Sequence, residues 1–198
     1  MRNLSVVYEL NDALYLNITN RCTNDCTFCL RKKLPQMGGE DLWLQREPSV
    51  DELLAAVGDP SEYRELVYCG YGEPLYRLKL IKQASRRLRA DPRTPDIRVN
   101  TNGLGNLIHR RNIIPELKGL LDAVSISLNA ENAEKYVNLC RPHFGYRAYE
   151  AVIDFARECR KYIPRVIFTV VDLPEVNIGN CRAIARDCGV EFKVRPAV

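Results

Sequence analysis

The chain has 198 residues, 46% of them hydrophobic, and a formal charge of +4. That length suits a single domain with a sizeable core, so one domain over 1–198 is expected. No apolar run reaches the roughly 18 residues of a membrane span. The start, Met1 to Glu9, is too short and too polar for a signal peptide, so a cytoplasmic protein with no membrane partner is expected.

Basic residues cluster at Arg31-Lys32-Lys33, Arg86-Arg87-Leu88-Arg89 and His109-Arg110-Arg111. These clusters leave a nucleic-acid face open. Acidic residues are interleaved elsewhere, which favours solvated helix faces. Eight cysteines are many for a reducing cytosol. Without a signal peptide, metal binding explains the tightest cluster better than a disulfide framework.

In chain order, Leu14 to Thr19 reads as a first strand. A cysteine-bearing polar segment runs from there to about Pro48, and Ser49 caps a helix through Val57. Glu65 to Cys69 is the second strand, followed by a helix from about Arg77 to Ala90. Ile97 to Thr101 is the third, ending at Asn102-Gly103, and a helical segment interrupted by Pro115 comes next. Ala123 to Leu128 is the fourth, with helical segments near 131–139 and 147–161. Val166 to Val171 is the fifth. A helix near 178–187 ends at Gly189, and Val190 to Val194 is the sixth.

This alternation predicts an α/β fold with a parallel sheet. Six strands are too few for the closed eight-stranded barrel. A doubly wound sheet would have near-continuous apolar strands. Here polar residues recur with period two: Tyr15, Asn17, Thr19; Arg98, Asn100; Ser125, Ser127; Glu191, Lys193, Arg195. Each set falls on one face of its strand. The expected architecture is an open, TIM-like partial (β/α)6 barrel with a polar lumen. The competing reading is an α+β sheet with one face in water.

Cys22, Cys26 and Cys29 fall in the spacing C-x3-C-x2-C directly after the first strand. Three thiolates from one loop can wrap a compact centre. Structural zinc wants four ligands, usually from two separated pairs. Three cysteines on a four-iron cluster leave one iron open to bind a ligand.

With Phe28 just before the last cysteine, the run from Asn17 to Cys29 resembles the radical SAM superfamily. The resemblance extends from Leu14 to Arg195. It is nearest to a compact group found beside TatD-type nucleases. It implies a [4Fe–4S] cluster with three Cys ligands and one open iron, which chelates S-adenosylmethionine (SAM). It also implies an enzyme that cleaves SAM reductively to a 5′-deoxyadenosyl radical, which abstracts hydrogen from a substrate.

Gly70-Tyr71-Gly72-Glu73-Pro74 is similar to the family's GGEP segment, which binds the SAM amino group; Tyr71 stands where the pattern has glycine. Glycines let backbone carbonyls approach a ligand, and Glu73 is an acceptor for an ammonium. Thr101-Asn102-Gly103 resembles the family's TNG segment. The resemblance puts Phe28, Thr169 and Val171 near the adenine. It puts Ser127 and Asn129 near the ribose hydroxyls and SAM carboxylate.

Arg195 is expected at the SAM carboxylate or, with Arg98 and Lys193, at an anionic substrate. Local pairing with Glu191 competes with that. The remaining cysteines read as small buried hydrophobes, Cys69 excepted. His109 reads as solvated, and His143 as a loop residue able to reach the substrate. The resemblance implies an external electron donor of flavodoxin or ferredoxin type. A wide barrel mouth, closed by the N-terminal segment, the Arg31–Glu47 loop or a partner, suits a protein partner or macromolecular substrate. A non-catalytic Fe–S or zinc scaffold or sensor is the alternative function.

Overall fold

The computed structural model describes residues 6–33 and 41–197. Its sheet has seven strands in sequence order: β1 (Val7–Leu10), β2 (Ala13–Leu16), β3 (Glu65–Tyr68), β4 (Asp96–Thr101), β5 (Ala123–Ser127), β6 (Arg165–Val171) and β7 (Glu191–Arg195). From β2 onward every neighbouring pair is parallel. Among the described strands β1 alone is antiparallel, in a hairpin with β2. Right-handed crossovers between adjacent parallel strands place the helices on one face of the sheet. Among the described residues β7 does not pair with β1, so the barrel stays open.

Among the described residues seven α-helices accompany the strands: α1 (Leu30–Lys33), α2 (Val50–Val57), α3 (Leu78–Leu88), α4 (Gly105–His109), α5 (Ala133–Cys140), α6 (Arg147–Cys159) and α7 (Ile178–Cys188). Helix α2 begins with a full capping box between Ser49 and Glu52. Gly189 ends α7 in the left-handed conformation that a non-glycine residue resists. The segment around Pro115 is a short 3-10 turn, Ile114–Leu117, separate from α4.

Period-two alternation sorts the strands into two faces. Leu14, Leu16, Leu66, Tyr68, Ile97, Val99, Val124, Ile126, Phe168 and Val170 are buried in the main core with the helices. Tyr15, Arg98, Ser125, Thr169 and Arg195 alternate with them, and so line the other, lumen face. A smaller cluster of Tyr8, Leu42 and Tyr71 sits at the β1–β3 end of that face.

The sequence reading missed β1. It is only four residues long, but Asn11 and Asp12 carry the signal, a two-residue turn with both φ positive (50° and 62°). Such turns match the twist of paired strands and favour Asn, Asp and Gly. Asp12→Gly should raise stability by about 0.5 kcal/mol, because glycine adopts positive φ without a Cβ penalty. The denaturant midpoint measures this; a fall would mean that the Asp12 side chain holds the turn.

Candidate active site

Parallel strands bring their C-terminal ends to one rim, so the loops after β2, β3 and β4 meet there. Cys22, Cys26 and Cys29 lie on the loop between β2 and α1, partly buried and free of disulfides. Burial, and then Glu73 nearby, pushes the Cys22 thiol up to about 12. A hydrogen bond with Cys140, and then burial, raises Cys26; burial raises Cys29. The donor set is therefore three thiols on one non-repeating loop, held protonated by their surroundings until a cation displaces the protons. Among the described residues no three His, Cys, Asp or Glu side chains gather round the position of one metal ion, so the fit to an iron–sulfur cluster with three protein ligands rests on the number and chemistry of these thiols.

The β3 loop is seated on the cysteine loop. A Cβ on Gly72 would meet the Thr19 carbonyl oxygen at 2.3 Å and the Arg21 backbone nitrogen at 2.9 Å, so only glycine fits there. A Cβ on Gly70 would lie 2.0 Å from Asn17 Oδ1. Glu73 N donates to the Arg21 carbonyl at 2.7 Å. The Glu73 carboxylate, 2% exposed, accepts from Leu75 N (3.0 Å), Thr101 Oγ1 (2.7 Å) and Asn102 N (2.6 Å). Asn102 Nδ2 donates onward to Thr23 Oγ1 at 2.8 Å and lies 3.9 Å from Cys22 Sγ. Glu73, Thr101 and Asn102 thus join the three loops into one unit.

Across the lumen, Arg195 donates to Ser127 Oγ (3.1 Å) and Thr169 Oγ1 (2.6 Å). Its Nε is sealed from solvent without a partner among the described residues, as is Asn129 Oδ1. Burial pushes the Arg195 guanidinium below its ordinary value. A buried cation satisfied only by hydroxyls invites an anion. Asn129 is held at φ 57°, with its amide 3.7 Å from Cys140 Sγ.

The remaining residues singled out in the sequence are placed by tertiary packing. Arg98 pairs with Glu65 at 2.7 Å, and Glu191 with Arg165 at 2.9 Å, so neither partner is the one anticipated. Phe28 packs against the main core. His109 is not a solvated residue: its Nε2 lies 2.7 Å from the Leu75 carbonyl. His143 faces an outer cleft. Cys140, Cys159, Cys181 and Cys188 are buried, whereas Cys69 is partly exposed and bonds Tyr8.

Part of the Arg31–Glu47 loop, 34–40, lies outside the described residues, as does the N-terminal segment before residue 6. The stretch that follows residue 40 packs over the rim. Asn17 Nδ2 donates to the Leu42 carbonyl (2.7 Å), and Asn20 exchanges two bonds with the Leu44 backbone. Glu47 accepts from Thr19 Oγ1 and Arg21 Nε.

Burial raises Glu73 to about 7 against the three hydrogen bonds, which lower it. A carboxyl raised on folding stabilises fully below its ordinary value of 4.5 and loses that contribution as pH rises through about 7. Relative to Glu73→Gln, the parent should lose roughly 3 kcal/mol across that window. Urea midpoints at several pH values measure the difference; parallel curves would mean that Glu73 ionises as easily folded as unfolded.

The radical SAM superfamily model matches residues 16–188. A GTP 3′,8-cyclase of Corynebacterium glutamicum (strain R) is 36% identical over 137 residues, covering 65% of this chain and 33% of that protein. A GTP 3′,8-cyclase of Lactiplantibacillus plantarum is 30% identical over 135 residues, 67% of this chain and 38% of that protein. The chain thus spans about a third of the length of these relatives.

Among solved structures, a radical SAM methyltransferase from Sphaerobacter thermophilus superposes with a TM-score of 0.65 at 18% identity, over 96% of this chain and 68% of that one. Streptococcus suis SuiB bound to its precursor peptide SuiA gives 0.65 at 14% identity, over 97% and 40%. These likenesses show the fold, an open partial TIM-like barrel. With the family matched across nearly the whole chain, on the same residues that build the rim, this chain belongs to the radical SAM superfamily.

Proposed function

We propose that the chain is the catalytic core of a radical SAM enzyme acting on a substrate held in the polar lumen. One observation carries the reading: the three-cysteine loop, the Gly70–Glu73 loop and Thr101-Asn102 form a single hydrogen-bonded unit at the C-terminal rim of the parallel strands. Cys22, Cys26 and Cys29 would hold a [4Fe–4S] cluster. The chemistry such a cluster supplies is one-electron reduction of SAM, which yields a 5′-deoxyadenosyl radical for hydrogen abstraction.

The other residues bind and orient. The Gly70 and Gly72 backbone, brought close by the absence of side chains, takes the SAM amino group with the one lone pair left on Glu73. Thr101 and Asn102 hold Glu73. Arg195 takes the SAM carboxylate, and Ser127 and Asn129 take ribose or carboxylate oxygens. Phe28 stands beside the last cysteine and borders the adenine. The reductant is an external carrier of flavodoxin or ferredoxin type, and the whole works in the cytoplasm.

Anaerobic reconstitution, reduction with dithionite and addition of SAM should release 5′-deoxyadenosine. A verified four-iron cluster that releases none would favour a scaffold or sensor instead. Cys26→Ala should lose the cluster absorbance. Arg195→Met should keep the cluster but weaken SAM binding about tenfold, the loss of one charge-assisted contact. Unchanged affinity would remove Arg195 from the SAM site.

A further inference from the structure

The cysteine loop has two sides. The inner side meets Glu73 and Asn102. The outer side lies against residues 139–143. Asp25 N donates to the Cys140 carbonyl (3.1 Å), Thr27 N to that of Leu139 (2.9 Å), and His143 N to that of Thr23 (2.8 Å). Asn24 forms a backbone bridge with Pro142, and the free Cys26 thiol is hydrogen-bonded with that of Cys140.

Against this segment opens a cleft of about 590 Å3, lined by Asn106, Leu107, Arg110, His143, Phe144 and Arg147. No acidic residue lines it. Arg111 is engaged by Glu116, and Arg31 and Lys32 by Asp25. Arg110, Arg147 and the exposed Arg141, two residues before His143 in the chain, have no ion pair among the described residues. A chain with a mild overall charge thus concentrates unpaired positive charge beside its cysteine loop.

We propose that this cleft and Arg141 form the docking surface for an acidic electron-carrier protein that reduces the cluster. The inference rests on the radical SAM reading above. Position is the first argument. The cleft includes His143, whose backbone N–H donates to the Thr23 carbonyl of the cysteine loop at 2.8 Å, and its lining residues come from outside the strands that face the lumen. Charge is the second. Unpaired guanidiniums attract and orient an acidic partner during encounter.

Nucleic acid fits the face less well. One face of the Phe144 ring is covered by the Arg147 guanidinium at 5.3 Å, and its flank by His143, so it offers a poor platform for a base. Arg87, Arg93 and Arg165 are each engaged by an acid and add no free charge to such a face.

Arg110 and Arg141 end α4 and α5 at φ 53° and 44°, where glycine is the easier residue. Glycine at both positions therefore removes charge with little risk to folding. The test variant is Arg110→Gly, Arg141→Gly, Arg147→Gln, with its thermal midpoint checked against the parent.

Dithionite-driven release of 5′-deoxyadenosine should be the same in both proteins. Reduction of the cluster by reduced flavodoxin, followed by stopped-flow absorbance at low salt, should slow about tenfold and lose most of its salt dependence in the variant. Calorimetric affinity for flavodoxin should fall in parallel. Equal flavodoxin rates and affinities in parent and variant would overturn the proposal. So would loss of single-stranded oligonucleotide binding with flavodoxin reduction unchanged. Absence of dithionite-driven turnover in the parent would count against the radical SAM reading instead. Flavodoxin affinity would still decide the docking surface in that case, with unequal affinities supporting it.

Discussion

The rim depends on one buried carboxylate. Glu73 has almost no contact with water and is surrounded by donors from its own loop and from the end of β4. Removing a carboxylate from water is costly, and these donors offset part of the cost. Their geometry has a structural result. The loops after β2, β3 and β4 cannot move independently while Glu73 keeps its partners, because Asn102 passes the connection on to Thr23 in the cysteine loop. Groups presented from these three loops are therefore held at fixed separation.

The lumen is organised by charge. At its lower end Arg98 is answered by Glu65 and Arg165 by Glu191, each pair on neighbouring strands. Higher up, Arg195 has only hydroxyl partners. The lower pairs neutralise the floor, and the upper guanidinium has no acidic partner among the described residues. The same division separates inside from outside at the cysteine loop. Its inner face meets the loops after β3 and β4, while its outer face is backed by residues 139–143 and the basic cleft.

The segment after residue 40 adds a third constraint. Leu42 is fully buried between Tyr8 and Tyr71, and Asn17 and Asn20 hold the neighbouring backbone. It covers the β1–β3 end of the lumen and leaves the Arg195 end apart. The aromatic pair Tyr8–Tyr15, with centroids 5.1 Å apart, shows why β1 belongs to the barrel: it carries one wall of this small cluster.

By itself the sequence determined the parallel α/β order, the polar lumen face and the cysteine triad with its two companion loops. These are legible because periodicity and local spacing are properties of contiguous residues. The capping box at Ser49 and the stop at Gly189 belong to the same class. Tertiary structure alone decided which charges meet. Arg98 reaches Glu65, and not Glu191, because the β3–β4 register sets those two diagonally across adjacent strands. It also decided that His109 faces a carbonyl, that Phe28 joins the core, and that Glu73 is held by Thr101 and Asn102. Each of these partners is distant in the chain and fixed only by strand register and packing, which no local pattern encodes.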